Sequence, residues 1–113
     1  MKAIPKKHVE GEGLSQCSPS EATHLTIRMP GPTGLLTLPV MIGGTRAGTP
    51  NWTWNGDTET PTLKPSISSR MGRDGLVVCH SWVNDGRVQF LPDSTHEFAG
   101  QTLDLLDVEG ALE

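Results

Sequence analysis

Along His24-Leu-Thr-Ile-Arg-Met29 the apolar residues Leu25, Ile27 and Met29 alternate with Thr26 and Arg28. A period of two marks a strand with one buried face. Pro30-Gly-Pro-Thr-Gly34 ends it, and the apolar run Leu35 to Ile42 follows, interrupted by Pro39. Proline has no N–H to give to a ladder, so this segment is expected at a sheet edge or split in two. Trp52-Thr-Trp54 opens a second block, Asn55-Gly56 is a turn signal, and Thr62 to Ser69 is extended around Pro65. Leu76-Val-Val-Cys-His-Ser-Trp-Val83 is β-branched and aromatic, and Arg87 to Leu91 is its natural partner across Asp85-Gly86. Leu103 to Val108 predicts a last strand or a short helix. The pattern therefore predicts a mostly β fold, a small antiparallel sheet or partly open barrel with a central hairpin and few or no helices. Residues 23–108 form this single domain, between a loose N-terminal arm at 1–22, where neither period is visible, and an acidic tail at 109–113.

The central hairpin decides which side chains share a face. With a two-residue type I′ loop at Asp85-Gly86, Val83 lies opposite Val88 and Ser81 opposite Phe90. Cys79 then shares an apolar face with Ser81, Val83, Val88 and Phe90, whereas His80 shares the other face with Trp82, Gln89 and Asp93. A three-residue loop using Asn84-Asp85-Gly86, or a bulge, swaps the partner strand's faces. The residues allow both registers. In either, Pro92 to His96 returns over the start of the Cys79 strand.

Composition narrows the class. Hydrophobic residues make up 35% of the 113, and 13 Gly with 9 Pro favour turns and short elements over long helices. The formal charge is −4 and no basic run extends beyond Lys6-Lys7, so the footprint of a nucleic-acid binder is missing. No signal-peptide core or membrane-length apolar run is present, so a cytoplasmic protein without membrane attachment is expected. Cys17 and Cys79 are accordingly expected as thiols.

Three chemistries compete for the polar residues around the hairpin. A serine nucleophile needs an imidazole base held by a carboxylate, and Ser66, Ser81 and Ser94 are the serines within reach. Ser66, just past Pro65 in a segment able to run beside the Cys79 strand, is the first choice, with His80 as base and Asp93 or His96 orienting it. The plainer alternative is that Ser66 and Asp93 satisfy turn backbone groups. No cofactor is expected; the alternative is zinc, which accepts sulfur and imidazole, on Cys79, His80 and His96, although no CxxC, HxH or HExxH spacing supports it. The ordinary role of a free cysteine such as Cys79 is that of a small buried hydrophobe. Trp54 and Trp82 are candidates for lining a substrate groove, where the ordinary role of such residues is core filling.

The stretches WTWNGDTETPTLKPSI, CHSWVNDGRVQFLPDSTH and EFAGQTLDL together resemble a bacterial and phage family, domain-of-unknown-function family 6527. Its members share W-x-x-N-G, P-T-x-x-P-S, C-H-S-hydrophobic and D-x-T-H-x-x-A-G-Q patterns. The resemblance runs from about Trp52 to Leu105. It implies, for members found in bacterial ubiquitin-like conjugation operons of the Bub type, a serine-dependent peptidase that processes or removes the ubiquitin-like protein. The motif positions carried over are Ser66, His80, Asp93 and His96, with Cys79 beside them. Ser94 stands where the family often has cysteine, which weakens the zinc alternative. The expectation is a peptidase or isopeptidase acting on a protein or peptide, with the C-terminus of a ubiquitin-like protein as the partner. The competing expectation is a phage-encoded binding module without turnover, its His and Asp residues a structural cluster.

Overall fold

Nine strands account for about half of the described residues in the computed structural model, which describes residues 1–45, 47–48 and 50–108. They are β1 (Ala3–Val9), β2 (Gly13–Gln16), β3 (His24–Met29), β4 (Gly34–Ile42), β5 (Trp52–Trp54), β6 (Leu63–Met71), β7 (Val77–Asn84), β8 (Arg87–Phe90) and β9 (Thr102–Asp104). The only helical pieces among the described residues are single 3₁₀ turns at Pro19–Glu21 and Arg73–Gly75. All strands join one sheet in the order β2-β1-β3-β4-β5-β6-β7-β8-β9, as the mostly β expectation requires. The sheet curls: just beyond β9, Leu106 forms an isolated bridge with Arg28 of β3, and its N–H donates to the Arg28 carbonyl at 3.0 Å. The result is a curled, open nine-strand sheet whose apolar side chains line its inner face.

Strand alternation sets that interior. Leu25, Ile27 and Met29 of β3 are buried together with Val40, Trp54, Leu63, Val83 and Phe90. Trp54 is the largest, with none of its surface exposed, and its indole N–H donates to the Asp57 carbonyl at 3.1 Å. Burying a large apolar side chain contributes about 1.5–3 kcal/mol each, so this inward row dominates the stability of the fold.

Pro39 is resolved in an unexpected way. Strand β4 is interior to the sheet order, but its first part pairs antiparallel with β3 as far as the His24–Pro39 pair, and Val40–Ile42 then pairs parallel with β5. The missing N–H falls where the strand changes partner, so the proline splits the pairing and leaves the strand continuous.

The loose arm predicted for residues 1–22 is corrected. Strand β1 pairs with both β2 and β3, and Ala3, Ile4 and Pro5 are buried. The extreme terminus is tied down as well: the Lys2 and Ala3 N–H groups donate to the Thr58 carbonyl at 2.8 and 3.1 Å, and Lys2 Nζ donates to the Leu105 carbonyl at 2.6 Å. Sequence pattern missed β1 because only its first three residues, Ala3, Ile4 and Pro5, are buried and they are consecutive, so no alternation appears. The predicted acidic tail at 109–113 lies outside the described residues.

Candidate active site

The two-residue register of the hairpin is the one observed. Asp85 and Gly86 have φ of 53° and 75°, both left-handed as type I′ requires, and Ser81 pairs with Phe90, Trp82 with Gln89 and Val83 with Val88. Cys79, Ser81 and Val83 consequently face the interior, while His80, Trp82 and Asn84 face out. The glycine is required twice over. Beyond its φ, a Cβ at Gly86 would lie 3.1 Å from the Glu59 carbonyl oxygen and 3.2 Å from Thr60 Cα, because the hairpin tip packs on the 59–62 loop. Two hydrogen bonds hold that contact, Gly86 N–H to the Pro61 carbonyl at 2.9 Å and Asp85 N–H to Thr62 Oγ1 at 2.9 Å.

On the other side of β7 the pairing is irregular. Leu63 opposes Val83 and Ile67 opposes Ser81, so a span of four residues in β6 matches a span of two in β7. The extra residues lie in Lys64-Pro65-Ser66, opposite Trp82, and the Lys64–Pro65 peptide is cis. Leu63 and Ile67 remain buried at the two ends of this arch, and Ser66 emerges on the outer face beside His80. Its hydroxyl is 3.1 Å from His80 Nε2. The Trp52 indole N–H points at the Ser66 carbonyl at 3.4 Å, a contact with no signal in the sequence pattern.

Asp93 completes the row. Its carboxylate oxygens Oδ2 and Oδ1 lie 2.9 and 3.2 Å from His80 Nδ1. A carboxylate only accepts hydrogen bonds, so Nδ1 carries the proton. In the neutral ring Nε2 is then an acceptor, and the Ser66 hydroxyl donates to it. The order Ser66–His80–Asp93 is that of a nucleophile, a base and the group that fixes the base's tautomer. Fractional exposure grades along it, with 27% of the His80 side chain and 64% of the Asp93 side chain accessible, so solvent reaches the carboxylate end.

The segment carrying Asp93 is fastened to β7 by side chains standing in for a ladder. Ser94 Oγ accepts from the His80 N–H and donates to the His80 carbonyl, both at 3.0 Å, and the Leu91 N–H donates to that same carbonyl at 2.8 Å. Thr95 Oγ1 accepts from the Val78 N–H at 2.8 Å and donates to the Leu76 carbonyl at 3.2 Å. These bonds set the backbone of His80 and the position of Asp93 together. Ser94 is buried with its hydroxyl committed, and Ser81 is fully buried on the inner face, so among the three candidate serines only Ser66 stands at an imidazole.

Other expected site residues lie elsewhere. His96 packs edge-on against Phe90 with ring centroids 4.6 Å apart, and its Nδ1 accepts from the Phe98 N–H at 3.2 Å. Since Phe90 belongs to the interior, His96 sits on the core side and outside the Ser66–His80–Asp93 hydrogen bonds. Trp54 is wholly buried and offers no surface to a substrate, a correction that follows from its place at the centre of the curl. Trp82 is 39% exposed on the outer face next to His80. The zinc alternative of Cys79, His80 and His96 is divided between the two faces, because adjacent residues on a strand point opposite ways. Among the described residues no group of three or more His, Cys, Asp or Glu is arranged to hold a metal ion. Both thiols are unpaired to each other, and burial is the main influence pushing the Cys17 thiol up from its ordinary value.

The curled β sheet thus carries a Ser–His–Asp hydrogen-bonded row on its outer face, an arrangement in which an imidazole can accept a hydroxyl proton. Residues 16–91 match the family model described as bacterial ubiquitination-like system serine protease (BubE), and the chain belongs to that family. The matched range takes in Ser66 and His80 and ends before Asp93; it also reaches back through β3 and β4, well upstream of the motifs that begin at Trp52. Neither the curated proteins nor the solved structures contain a match to the chain. No described helix is long and apolar enough to cross a membrane.

Proposed function

We propose that the protein is a serine peptidase of a bacterial ubiquitination-like system that cleaves a peptide or isopeptide bond at the C-terminus of a ubiquitin-like protein. The observation that carries this is Ser66 Oγ at 3.1 Å from His80 Nε2, with Asp93 at 2.9 Å from the opposite ring nitrogen. Membership of the BubE family supports the choice of substrate class. In this reading the Ser66 oxygen attacks the scissile carbonyl while its proton passes to His80 Nε2. The imidazolium so formed lies against the Asp93 carboxylate, which stabilises it without taking the proton. His80 returns that proton to the leaving amine as the C–N bond breaks, leaving an ester on Ser66. Water then attacks the ester while His80 Nε2 takes its proton, and as the bond from the acyl carbon to Ser66 Oγ breaks that proton passes to Oγ, releasing the carboxylate product and restoring the hydroxyl. The chemistry needs no metal and no cofactor, and the partner is a protein chain.

The test is cleavage of a bacterial ubiquitin-like protein carrying a C-terminal tag, by the wild type and by Ser66→Ala. Loss of about a thousandfold or more in rate is expected, together with labelling of the wild type but not the variant by a fluorophosphonate. Undiminished cleavage by Ser66→Ala would remove Ser66 from the mechanism and turn the Ser66–His80–Asp93 row into a structural cluster.

A further inference from the structure

Outward-facing residues of successive strands form a stripe across the sheet: Met41 of β4 pairs with Thr53, Thr53 with Lys64, and, beyond the arch of β6, Trp82 pairs with Gln89 and Gln89 with Thr102. The stripe is hollowed. A depression of about 210 Å³ between Thr53 and Lys64 adjoins one of about 330 Å³ between Lys64, Trp82 and Gln89. The second in turn adjoins one of about 460 Å³ that Asn84, Gln89 and Thr102 border. Shared residues join them into a single open groove: Thr62 and Lys64 border the first two, Asn84 and Gln89 the last two. From β5 to β9 it crosses four strand spacings, roughly 19 Å, enough for about six residues of extended chain.

The groove shares the outer face with the reactive pair. Lys64 lies two positions before Ser66 on β6, and Trp82 two positions after His80 on β7, so a chain lying in the groove runs about two residues along the strands, roughly 7 Å, from Ser66 and His80. Its charge is unlike that of the whole molecule. The chain carries −4 overall, yet the middle of the groove holds the exposed Lys64 ammonium, which has no ion-pair partner among the described residues. Arg87 at the far end is paired with Asp104 at 3.3 Å, and Asp85 borders the same end. The unshared cation is therefore central.

We propose that this groove is the substrate-binding site and that Lys64 selects an extended peptide bearing a carboxylate close to the bond presented to Ser66. The inference builds on the serine-peptidase reading. Trp82 forms the apolar wall, Asn84 and Gln89 offer amide groups to the peptide backbone, and Lys64 is a specificity-determining residue that takes no part in proton transfer. In an otherwise acidic protein a lone central lysine attracts acidic chains and repels basic ones.

Ser66→Ala protein, which holds substrate without turning it over, is titrated with three ten-residue peptides identical except for Glu, Gln or Lys at alternate positions. Quenching of Trp82 fluorescence reports binding, and Trp82→Phe identifies the signal as coming from the groove. The Glu peptide is expected to bind about tenfold more tightly than the Lys peptide, since a solvent-exposed ion pair is worth up to about fivefold and its repulsive counterpart a comparable loss. Adding Lys64→Glu reverses the order and Lys64→Arg retains it. Equal affinities for the three peptides, or an order unchanged by Lys64→Glu, would overturn the assignment. Cleavage surviving Ser66→Ala would instead overturn the catalytic reading while leaving these binding results standing, so the two failures are distinguishable.

Discussion

Strand β7 is bordered differently on its two sides. Toward β8 the pairing is regular, closed by a two-residue turn, and every inward residue meets an inward partner. Toward β6 the register slips, with Lys64-Pro65-Ser66 arched over the place of Trp82. Both sides bury their apolar residues equally well, since Leu63 and Ile67 are as inaccessible as Val88 and Phe90. The regular side fixes which face of β7 carries His80, and the irregular side lifts a serine to that face at hydrogen-bonding distance. The regular edge thus sets the face of β7, and the arched edge places the serine on it.

The largest effect expected from breaking this comparison is on the outer face. Asp93→Asn keeps the size of the side chain but no longer requires Nδ1 to carry the proton, so His80 loses its fixed tautomer. A fall of about a thousandfold in kcat, with the thermal midpoint changed by no more than a degree or two, is expected in the tagged-substrate assay. A fall of less than tenfold would mean that Asp93 does not orient His80.

On the regular side, Gly86→Ala forces a Cβ to within 3.1 Å of a backbone oxygen at a φ of 75°. About 2–3 kcal/mol of stability is expected to be lost in urea unfolding, with kcat/KM of the remaining folded protein within twofold of wild type. An intermediate effect is expected from Ser94→Ala, which removes both side-chain hydrogen bonds to the His80 backbone. A loss of about 1–3 kcal/mol in stability is expected, accompanied by a lower kcat at unchanged KM, and Ser94→Thr should restore much of both. A stability loss without any change in kcat would show that the Asp93 segment and His80 are positioned independently.

The smallest effect concerns the loop beneath the hairpin tip. Asp57 accepts N–H bonds from Thr60 and Glu59 at 2.9 and 2.8 Å, and the Thr60 bond, followed by that of Glu59, holds its carboxyl below the ordinary value. A lowered folded-state pKa stabilises the fold above the unfolded carboxyl's range, and that contribution is lost as pH falls through the lowered value. Urea midpoints of wild type and Asp57→Asn should therefore differ at pH 6 and converge toward pH 2.5. A gap that stays constant over that range would assign the difference to packing and leave charge out of it.

Much of the outer face was legible beforehand because strand alternation acts locally. His80, Trp82 and Asn84 on one side and Cys79, Ser81 and Val83 on the other follow from a period of two and from Asp85-Gly86 at the turn. The choice of Ser66 over Ser81 and Ser94 rested on its position past Pro65, and the structure brings its hydroxyl alone to the imidazole. Chain proximity puts His96 near the same cluster, yet the turn after Pro92 carries it to the core side against Phe90. Trp54 is expected at a groove from its residue type, but it is wholly buried, and Trp52, two positions earlier on the same face, is half-buried against the same core with its indole N–H at the Ser66 carbonyl. The N-terminal strand is illegible because its buried residues, Ala3, Ile4 and Pro5, are consecutive and are followed by polar ones, so no alternation shows.

The amino-acid sequence by itself determined the strand-rich class, the central hairpin with its conformationally special glycine, and the residue types for a nucleophile, a base and a carboxylate. These are consequences of local sterics and of side-chain chemistry, which act over a few residues. Tertiary structure alone decided the two-residue register, the slip of β6 that raises Ser66 to His80, the anchoring of β1, the packing of His96 against Phe90, and the burial of Trp54. Each depends on contacts between segments distant in the chain, whose free energy is gained only when the whole sheet curls and buries its inner face.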